Sequence, residues 1–253
     1  MIPKVDYGNK CWWCGGLADS AEHKYKKSDL LKEFGSGQYK DQDELVRVYK
    51  GELRKILGPK SQEVRFPNNI CQTCNNDKSQ PFDLAYSTFV NYLKNNEEEI
   101  YSAKQFQLSM IFGKDYEVKR VDVIRYYVKH ICCRLASAGI LIKDEIKDFL
   151  NGNMTLKFIS LYMEIREDIV ALIKRSEADG INAGSLWIGD LACILNEKAG
   201  YVRNVSSFHG YRWLRTNYIY DDEISILGTN FINDTVFLGS GYSISPGLIF
   251  NTK

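Results

Sequence analysis

The sequence has almost no excess charge and no long apolar run. Its 33 basic and 32 acidic residues leave a formal net charge of +1, so no overall basic character marks the chain as a nucleic-acid-binding protein. No apolar stretch approaches the roughly 20 residues that cross a membrane. The first residues, Met1 to Asp6, also lack the apolar region of a secretion signal. We therefore expect a cytoplasmic protein without membrane contact.

Internal repeats and low-complexity segments are absent as well. With 44% hydrophobic and 13% aromatic residues, the 253-residue chain can bury a sizeable core as one large domain or two small ones. Its pattern changes from helical to strand-like periodicity near residue 152. We predict an α+β fold with an N-terminal region at 1–95, a helical segment at 96–152 and a β-rich C-terminal region at 153–253.

Local patterns place the elements of this fold. Apolar residues at helical spacing predict helices over Asp41–Leu57, Pro81–Leu93, Ile100–Phe112, Val118–Leu135 and Lys143–Leu150. Short runs rich in β-branched and aromatic residues predict strands at Val64–Phe66, Thr155–Tyr162, Ser185–Ile188, Tyr211–Tyr218 and Thr235–Leu238.

Four of the seven cysteines form two Cys-x-x-Cys pairs, Cys11 with Cys14 and Cys71 with Cys74. In a chain without an export signal this pattern favours a metal site over disulfides. Each pair supplies two corners of a tetrahedron, so the two pairs complete a closed structural zinc site. Gly15 gives the first turn backbone freedom. The alternative is a set of reduced thiols without a metal, and it would have to explain the two matched Cys-x-x-Cys pairs by chance.

The motifs occur in a recognisable order: Cys11-Trp-Trp-Cys14, then Glu22-His23, then Cys71-Gln-Thr-Cys74-Asn75 with Lys78. This order resembles the zinc-binding branch of the HNH endonucleases, over residues 11 to about 90. That family has a ββα-metal fold and cuts nucleic acid with one divalent ion. The resemblance implies that region 1–95 is a zinc-stapled, HNH-like nuclease domain.

The resemblance also implies a role for each motif residue. His23 would be the general base that activates water, as an imidazole titrating near neutral pH can do. Glu22 and Asn75 would be ligands of a catalytic Mg²⁺ or Mn²⁺, ions that prefer oxygen. Lys78 would contact phosphate and offset developing negative charge.

The chain departs from the family pattern at three points. Asn68 and Asn69 lie closer to the second cysteine pair than the family's bracing asparagine. Glu22 and His23 are neighbours and would face opposite sides of a regular strand, so both reach one ion only where the strand twists or bulges.

The third departure concerns the second metal ligand. The family's ligand lies at a helix start just after the cysteine, whereas Pro81 predicts a later start. Three residues therefore stay open as alternatives to Asn75: Asn76, Asp77 and Asp83.

A small basic cluster, Lys24, Lys26 and Lys27, follows His23. It is either a solvated face or a set of phosphate contacts beside the nuclease site. A second basic and aromatic stretch, His209–Arg215, could grip nucleic acid, but strand alternation with an apolar inner face explains it better.

The remaining cysteines and one histidine are expected in the core. His130, Cys132 and Cys133 lie on one predicted helix with offsets that cannot converge on one metal, and Cys193 is expected to be a buried apolar residue.

The resemblance implies a metal-dependent endonuclease acting on DNA, with RNA open as a substrate. By analogy with bacterial and phage proteins, restriction or antiviral defence is the expected setting. The alternative is a non-catalytic zinc-stapled module that binds nucleic acid or a protein partner, and a homo-oligomer also stays open. A thiol oxidoreductase is disfavoured because no βαβ thioredoxin pattern surrounds either cysteine pair.

Overall fold

The computed structural model describes residues 2–39, 45–49, 52–178, 187–188, 193–198, 201–211, 213–221, 229–231, 233–241 and 248–251. Within them the protein is a mixed α and β structure, in agreement with the predicted class. None of the helices in these ranges is both long and apolar enough to cross a membrane.

Seven α-helices lie in the described ranges: α1 (Lys27–Phe34), α2 (Gln80–Asn95), α3 (Glu97–Ala103), α4 (Leu108–Phe112), α5 (Tyr116–Ser137), α6 (Asp144–Leu150) and α7 (Glu167–Ala178). Short 3₁₀ turns lie at Gln62–Val64 and Gly113–Asp115, and a π-helical turn at Thr73–Lys78 precedes α2.

The described strands are β1 (Leu45–Tyr49), β2 (Glu52–Ile56), β3 (Gln105–Gln107), β4 (Ile159–Arg166), β5 (Trp187–Ile188), β6 (Cys193–Lys198), β7 (Tyr201–Tyr211), β8 (Leu214–Asp221), β9 (Thr235–Phe237), β10 (Gly239–Gly241) and β11 (Leu248–Asn251). They form a five-stranded sheet in the order β10-β4-β8-β7-β6, a four-stranded sheet β2-β1-β11-β5 and the pair β3-β9. β10 and β4 are parallel, and the other pairings are antiparallel.

The two central helices follow their sequence patterns. In α2, Pro81 lies in the first turn and Phe82, Ala85, Tyr86, Phe89, Val90 and Leu93 form one buried face. α5 extends the predicted Val118–Leu135 helix by two residues at each end, and Gly139 follows it with φ +66°. Both helix predictions are confirmed, and so is α6.

Two helix predictions are wrong. Asp41–Leu57 contains the antiparallel pair β1 and β2, with Leu45 opposite Ile56. β1 also pairs with β11 from the end of the chain, and such a distant partner overrides a local helical spacing. Ile100–Phe112 is interrupted at Lys104, which has φ 54°, and β3 then pairs with β9.

The C-terminal region is β-rich as predicted, but it also contains α7. The predicted strand Tyr211–Tyr218 covers the last residue of β7 and the first five residues of β8, with the turn between the two strands inside it. Along β8 buried and half-buried residues alternate, which supports strand packing for the Leu214–Arg215 end of the His209–Arg215 stretch. The side chains of His209 and Cys193 and all of Arg212 lie outside the described residues.

One large hydrophobic cluster draws residues from all three predicted regions, for example Trp13, Ile131 and Leu161. A smaller cluster lies in the stretch between His23 and Arg65 and includes Tyr25, Leu30, Tyr39, Leu45, Ile56 and Val64. The described residues between His23 and Arg65 therefore have a hydrophobic core of their own.

Two extended segments, residues 20–24 and 64–70, pair antiparallel and are called the paired arms below. Their backbone hydrogen bonds run from Ser20 N–H to Ile70 O (2.9 Å), from Phe66 N–H to Glu22 O (2.9 Å) and from Lys24 N–H to Val64 O (2.8 Å). The second arm leads through the second cysteine pair and the π-helical turn into α2. The chain order at the site is thus arm, arm and helix.

Candidate functional site

The two cysteine pairs meet beside the paired arms. Their four Sγ atoms lie within 4.8 Å of one another, and those of Cys14 and Cys71 are 3.6 Å apart. Tetrahedral zinc with Zn–S bonds of about 2.3 Å separates its sulfurs by about 3.8 Å. Cys11 and Cys74 are buried, whereas Cys14 is exposed. The four cysteines therefore form a cluster that can hold a metal ion such as zinc, as the sequence predicts.

Tight turns position these thiols. In the first pair the Cys11 N–H donates to Gly16 O at 2.7 Å, and Gly15, at φ +79°, donates to Cys11 O at 2.9 Å. In the second pair the Cys74 N–H points to Cys71 Sγ at 3.4 Å. Backbone N–H groups aimed at sulfur stabilise thiolates, the form that binds metal.

The thiols have unequal pKa values. Burial raises the pKa of Cys14, but hydrogen bonds from the Gly16 backbone and from the thiols of Cys71 and Cys74 outweigh burial and lower that pKa to about 7. Burial, together with the Cys71 thiol, raises the pKa of Cys74. Four neighbouring thiolates repel one another, and a divalent ion among them offsets this repulsion.

Glu22 lies in a polar group that we call the Lys129 cluster: Glu22, Ser79 and Lys129, which are buried, and Asp83, which is half-buried. The Lys129 ammonium, on α5, is completely buried and lies 3.0 Å from Glu22 Oε2, 3.4 Å from Asp83 Oδ1 and 3.1 Å from Ser79 Oγ. Burial raises the pKa of Glu22, and Lys129 opposes that effect. Burial lowers the pKa of Lys129, but Glu22 and Asp83 outweigh it and raise the pKa. The lysine therefore stays charged between two carboxylates.

His23 contacts a different partner. Its Nε2 lies 3.0 Å from the carbonyl oxygen of Pro59, and since a carbonyl only accepts, Nε2 carries the proton. Nδ1 has no hydrogen-bond partner among the described residues. Burial lowers the pKa of His23, the Pro59 carbonyl raises it, and the charges of Arg65 and Lys27 lower it further. The imidazole is therefore neutral near pH 7 with the Nδ1 lone pair available.

The candidate second ligand, Asn75, lies in the π-helical turn. Its Nδ2 donates to Ser20 Oγ at 3.0 Å, while its Oδ1 is buried and has no hydrogen-bond partner in the described part of the chain. An unsatisfied buried amide oxygen suits a hard cation. Asn76 and Asp77 are exposed.

The two oxygen donors expected for a catalytic Mg²⁺ or Mn²⁺, Asn75 Oδ1 and the Glu22 carboxylate, contact different partners, Asn75 through its Nδ2 to Ser20 and Glu22 to Lys129. The fit is partial because Glu22 is already bonded to Lys129. In the described ranges only the four cysteines bring three or more His, Cys, Asp or Glu ligand atoms together. A bound Mg²⁺ would therefore take most of its ligands from substrate phosphate and water, as this ion commonly does.

The lysines near the site differ in whether their ammonium groups are bonded inside the fold or exposed to solvent. The Lys26 ammonium donates to Asp83 O and Ser87 Oγ, both at 2.5 Å, and lies over the rings of Tyr86 and Tyr126. Lys27 is exposed at the start of α1, and Lys78 is exposed with its Nζ 5.7 Å from the Trp13 ring centroid. Lys26 is thus committed to the fold, unlike the other two.

His130, Cys132 and Cys133 are buried, as predicted. Nε2 of His130 donates to Lys24 O at 3.1 Å, so Nδ1 accepts from Tyr218 Oη–H at 2.8 Å. His130 therefore connects the first arm to β8 and has a structural role.

Sequence reasoning missed two residues of the site. Lys129 was not singled out, although a lysine between Val128 and Ile131, inside an apolar helical stretch, is a usable signal. Asn69 is buried, and its Nδ2 donates to Cys133 O at 2.7 Å and to Ser137 Oγ at 3.0 Å. It thus braces the second arm on α5.

Comparison with family models, with curated proteins and with solved structures yields no match to this chain. The functional argument therefore depends on the residues themselves.

Proposed function

We propose that the protein is a metal-dependent endonuclease of the HNH type that hydrolyses phosphodiester bonds in DNA. The observation that carries the proposal is the hydrogen bond between His23 Nε2 and Pro59 O at 3.0 Å. It fixes the tautomer and the ring orientation, and it leaves Nδ1 as a proton acceptor. A general base must be held in this way before it can activate water.

His23 Nδ1 takes one proton from water as the water oxygen bonds to phosphorus. The P–O ester bond breaks, and the leaving oxygen gains a proton from solvent. Glu22 and Asn75 would hold a divalent ion, which when bound polarises the scissile phosphate. Lys78, exposed beside Trp13, supplies a positive charge for the phosphate.

The cysteine cluster has a structural role in this proposal, with zinc as its ion. Cys11, Cys14, Cys71 and Cys74 would supply all four ligands of the ion, the pattern of a structural zinc site. Cys71 and Cys74 lie at the start of the π-helical turn that carries Asn75, so a metal held there would serve to position that turn.

Plasmid cleavage in Mg²⁺ or Mn²⁺ tests the proposal. We expect His23→Ala to slow cleavage by about 10²- to 10⁴-fold, the usual contribution of a general base, without changing zinc content or the melting temperature. Lys114→Ala, at an exposed residue of the Gly113–Asp115 turn, is the control and should cut as fast as wild type. Failure of folded, zinc-loaded wild type to cut DNA or RNA with either ion would refute the proposal.

One observation favours a second function, a zinc-stapled module that binds nucleic acid or protein without catalysis. Lys129 neutralises Glu22 from inside the protein, and a buried ammonium competes with a divalent ion for the same carboxylate. In that case wild-type protein binds its partner, His23→Ala binds equally well, and calorimetric titration with Mn²⁺ shows no site that Glu22→Gln removes.

A further inference from the structure

An open cleft of about 480 Å³ lies between the paired arms and the 3₁₀ turn Gln62–Val64. Its walls include Lys24, Gln62, Arg65, Phe66, Pro67 and Asn68. We call it the basic cleft.

Backbone pairing joins the basic cleft to the proposed catalytic residue. Arg65 lies directly opposite His23 in the paired arms, and the Cβ atoms of opposite residues in an antiparallel pair are typically about 5 Å apart. Ala21, two residues before His23, also lines the cleft. A ligand in the cleft would therefore lie next to the imidazole.

The charged residues that line the basic cleft in the described part of the chain are of one sign: Lys24 and Arg65. Lys24 Nζ also donates to the Glu63 carbonyl at 3.4 Å and lies 6.0 Å from the Phe66 ring centroid. Behind the wall, the Arg134 guanidinium lies 5.3 Å from the same centroid. Low-dielectric walls that carry charge of one sign concentrate the potential and attract anions.

Hydrogen-bond donors are also available to a ligand. Arg65 Nε is buried and has no hydrogen-bond partner in the described part of the chain, so the donors that this half-buried residue offers to a ligand are its outer guanidinium nitrogens. The amides of Gln62 and Asn68 stand at the same walls, and both side chains are exposed. Arginine, lysine and amide donors around one cavity match the oxygens of a phosphate diester.

The Phe66 ring cannot serve as a stacking platform because the residue is only 4% exposed. A base would find no open aromatic face on it, so the chemistry of the cleft suits the backbone of a nucleic acid and gives no sequence readout.

We propose that the basic cleft binds a phosphodiester of the nucleic-acid strand, next to the bond that is presented to His23. The proposal rests on the proposed function for the identity of the strand as substrate. It adds Arg65 to the binding residues and excludes Lys26, whose ammonium is engaged inside the fold.

The test is binding of a fluorescent DNA oligonucleotide, followed by anisotropy over a salt series, with His23→Ala in every protein and no divalent ion, so that no cleavage occurs. We expect Arg65→Gln and Lys24→Gln each to weaken binding about tenfold, as is typical for loss of a charge-assisted hydrogen bond. Each should lower the slope of log K against log salt by about one.

Lys114→Gln and Arg175→Gln are matched controls, because both residues are exposed and lie on other elements. Zinc content and melting temperature must stay at wild-type values, and Arg65→Lys should regain part of the affinity lost in Arg65→Gln. Competition with inorganic phosphate distinguishes a site for a polynucleotide from a site for free phosphate. If phosphate displaces the oligonucleotide only at concentrations far above that of the oligonucleotide, the result supports a polynucleotide ligand.

The outcomes separate the two proposals. Cleft variants that bind as tightly as the controls, or a His23→Ala parent without affinity for DNA, would overturn the basic cleft even where the His23→Ala change abolishes cleavage. Weakened binding by both cleft variants, together with a wild type that never cuts DNA, would support the cleft and overturn the nuclease. Displacement by phosphate at an equal concentration would overturn the assignment to a polynucleotide.

Discussion

Two clusters hold the paired arms to the rest of the protein, and they do so in different ways. The four-cysteine cluster takes its ligands from two local Cys-x-x-Cys turns. The Lys129 cluster takes Glu22 from the first arm, Ser79 and Asp83 from the start of α2 and a fully buried ammonium from α5. The cysteine cluster can bind an ion from solution, whereas the Lys129 cluster contains its own cation, the Lys129 ammonium.

The difference has an energetic consequence. A structural metal bound by the four cysteines would add its binding free energy to folding, and the gain would rise with the logarithm of the free metal concentration above Kd. A buried ion pair adds little net stability because desolvation offsets its attraction. It becomes costly only when one partner is removed. We therefore expect the cysteine cluster to supply stability when it holds a metal, and the Lys129 cluster mainly to specify which segments meet.

Loss of the metal should have the largest effect. We expect Cys71→Ser to remove on the order of 10 kcal/mol, the range of structural zinc sites, and so to unfold the chain. Metal analysis of purified wild type should give about one zinc per chain, and a strong chelator should lower its melting temperature.

Cys132→Ala is the matched control because it removes a buried sulfur outside the cluster. It should cost only about 1 kcal/mol and keep the zinc. Wild type that is purified without bound metal, or whose melting temperature stays unchanged in a strong chelator, would show that the cysteine cluster is not a metal site.

Lys129→Met comes next in size. Methionine has a similar length but leaves Glu22 and Asp83 without their cation, and removal of one partner of a buried ion pair typically costs about 3–5 kcal/mol. Urea unfolding of the zinc-loaded variant measures the loss.

A double-mutant cycle with Glu22→Gln tests whether the loss belongs to the pair. The double variant should be more stable than the sum of the two single changes predicts. Lys119→Met on the same helix is the control, since its half-exposed ion pair with Asp122 should be worth less than about 1 kcal/mol. Strict additivity would mean that Lys129 does not act through Glu22.

The same contrast explains what the sequence could predict. Cys11, Cys14, Cys71 and Cys74 are identified by spacing because metal coordination imposes that spacing. Lys129 and Asp83 approach only through the packing of α2 on α5, so no local pattern pairs them. His23 was identified, but its partner Pro59 was not, since a backbone carbonyl has no residue-type signal.

The fold follows the same rule. α2, α5 and α6 were predicted because each buries a continuous face at helical spacing. The β1–β2 pair was mistaken for a helix because its partner β11 lies at the other end of the chain. The predicted Ile100–Phe112 helix is broken at Lys104, whose backbone is left-handed with φ 54°. A lysine in the sequence gives no signal for this conformation.

The smallest effect is expected at Lys26, which borders the Lys129 cluster. Its ammonium donates to Asp83 O and Ser87 Oγ, neutral acceptors that can form other hydrogen bonds when it is removed. Lys26→Met should therefore cost only about 1–1.5 kcal/mol in urea unfolding, the usual value of a hydrogen bond. DNA affinity and its salt dependence should match wild type. A loss of unfolding free energy as large as that of Lys129→Met would mean that Lys26 also neutralises the carboxylates of Glu22 and Asp83. Lys26 would then belong to the Lys129 cluster.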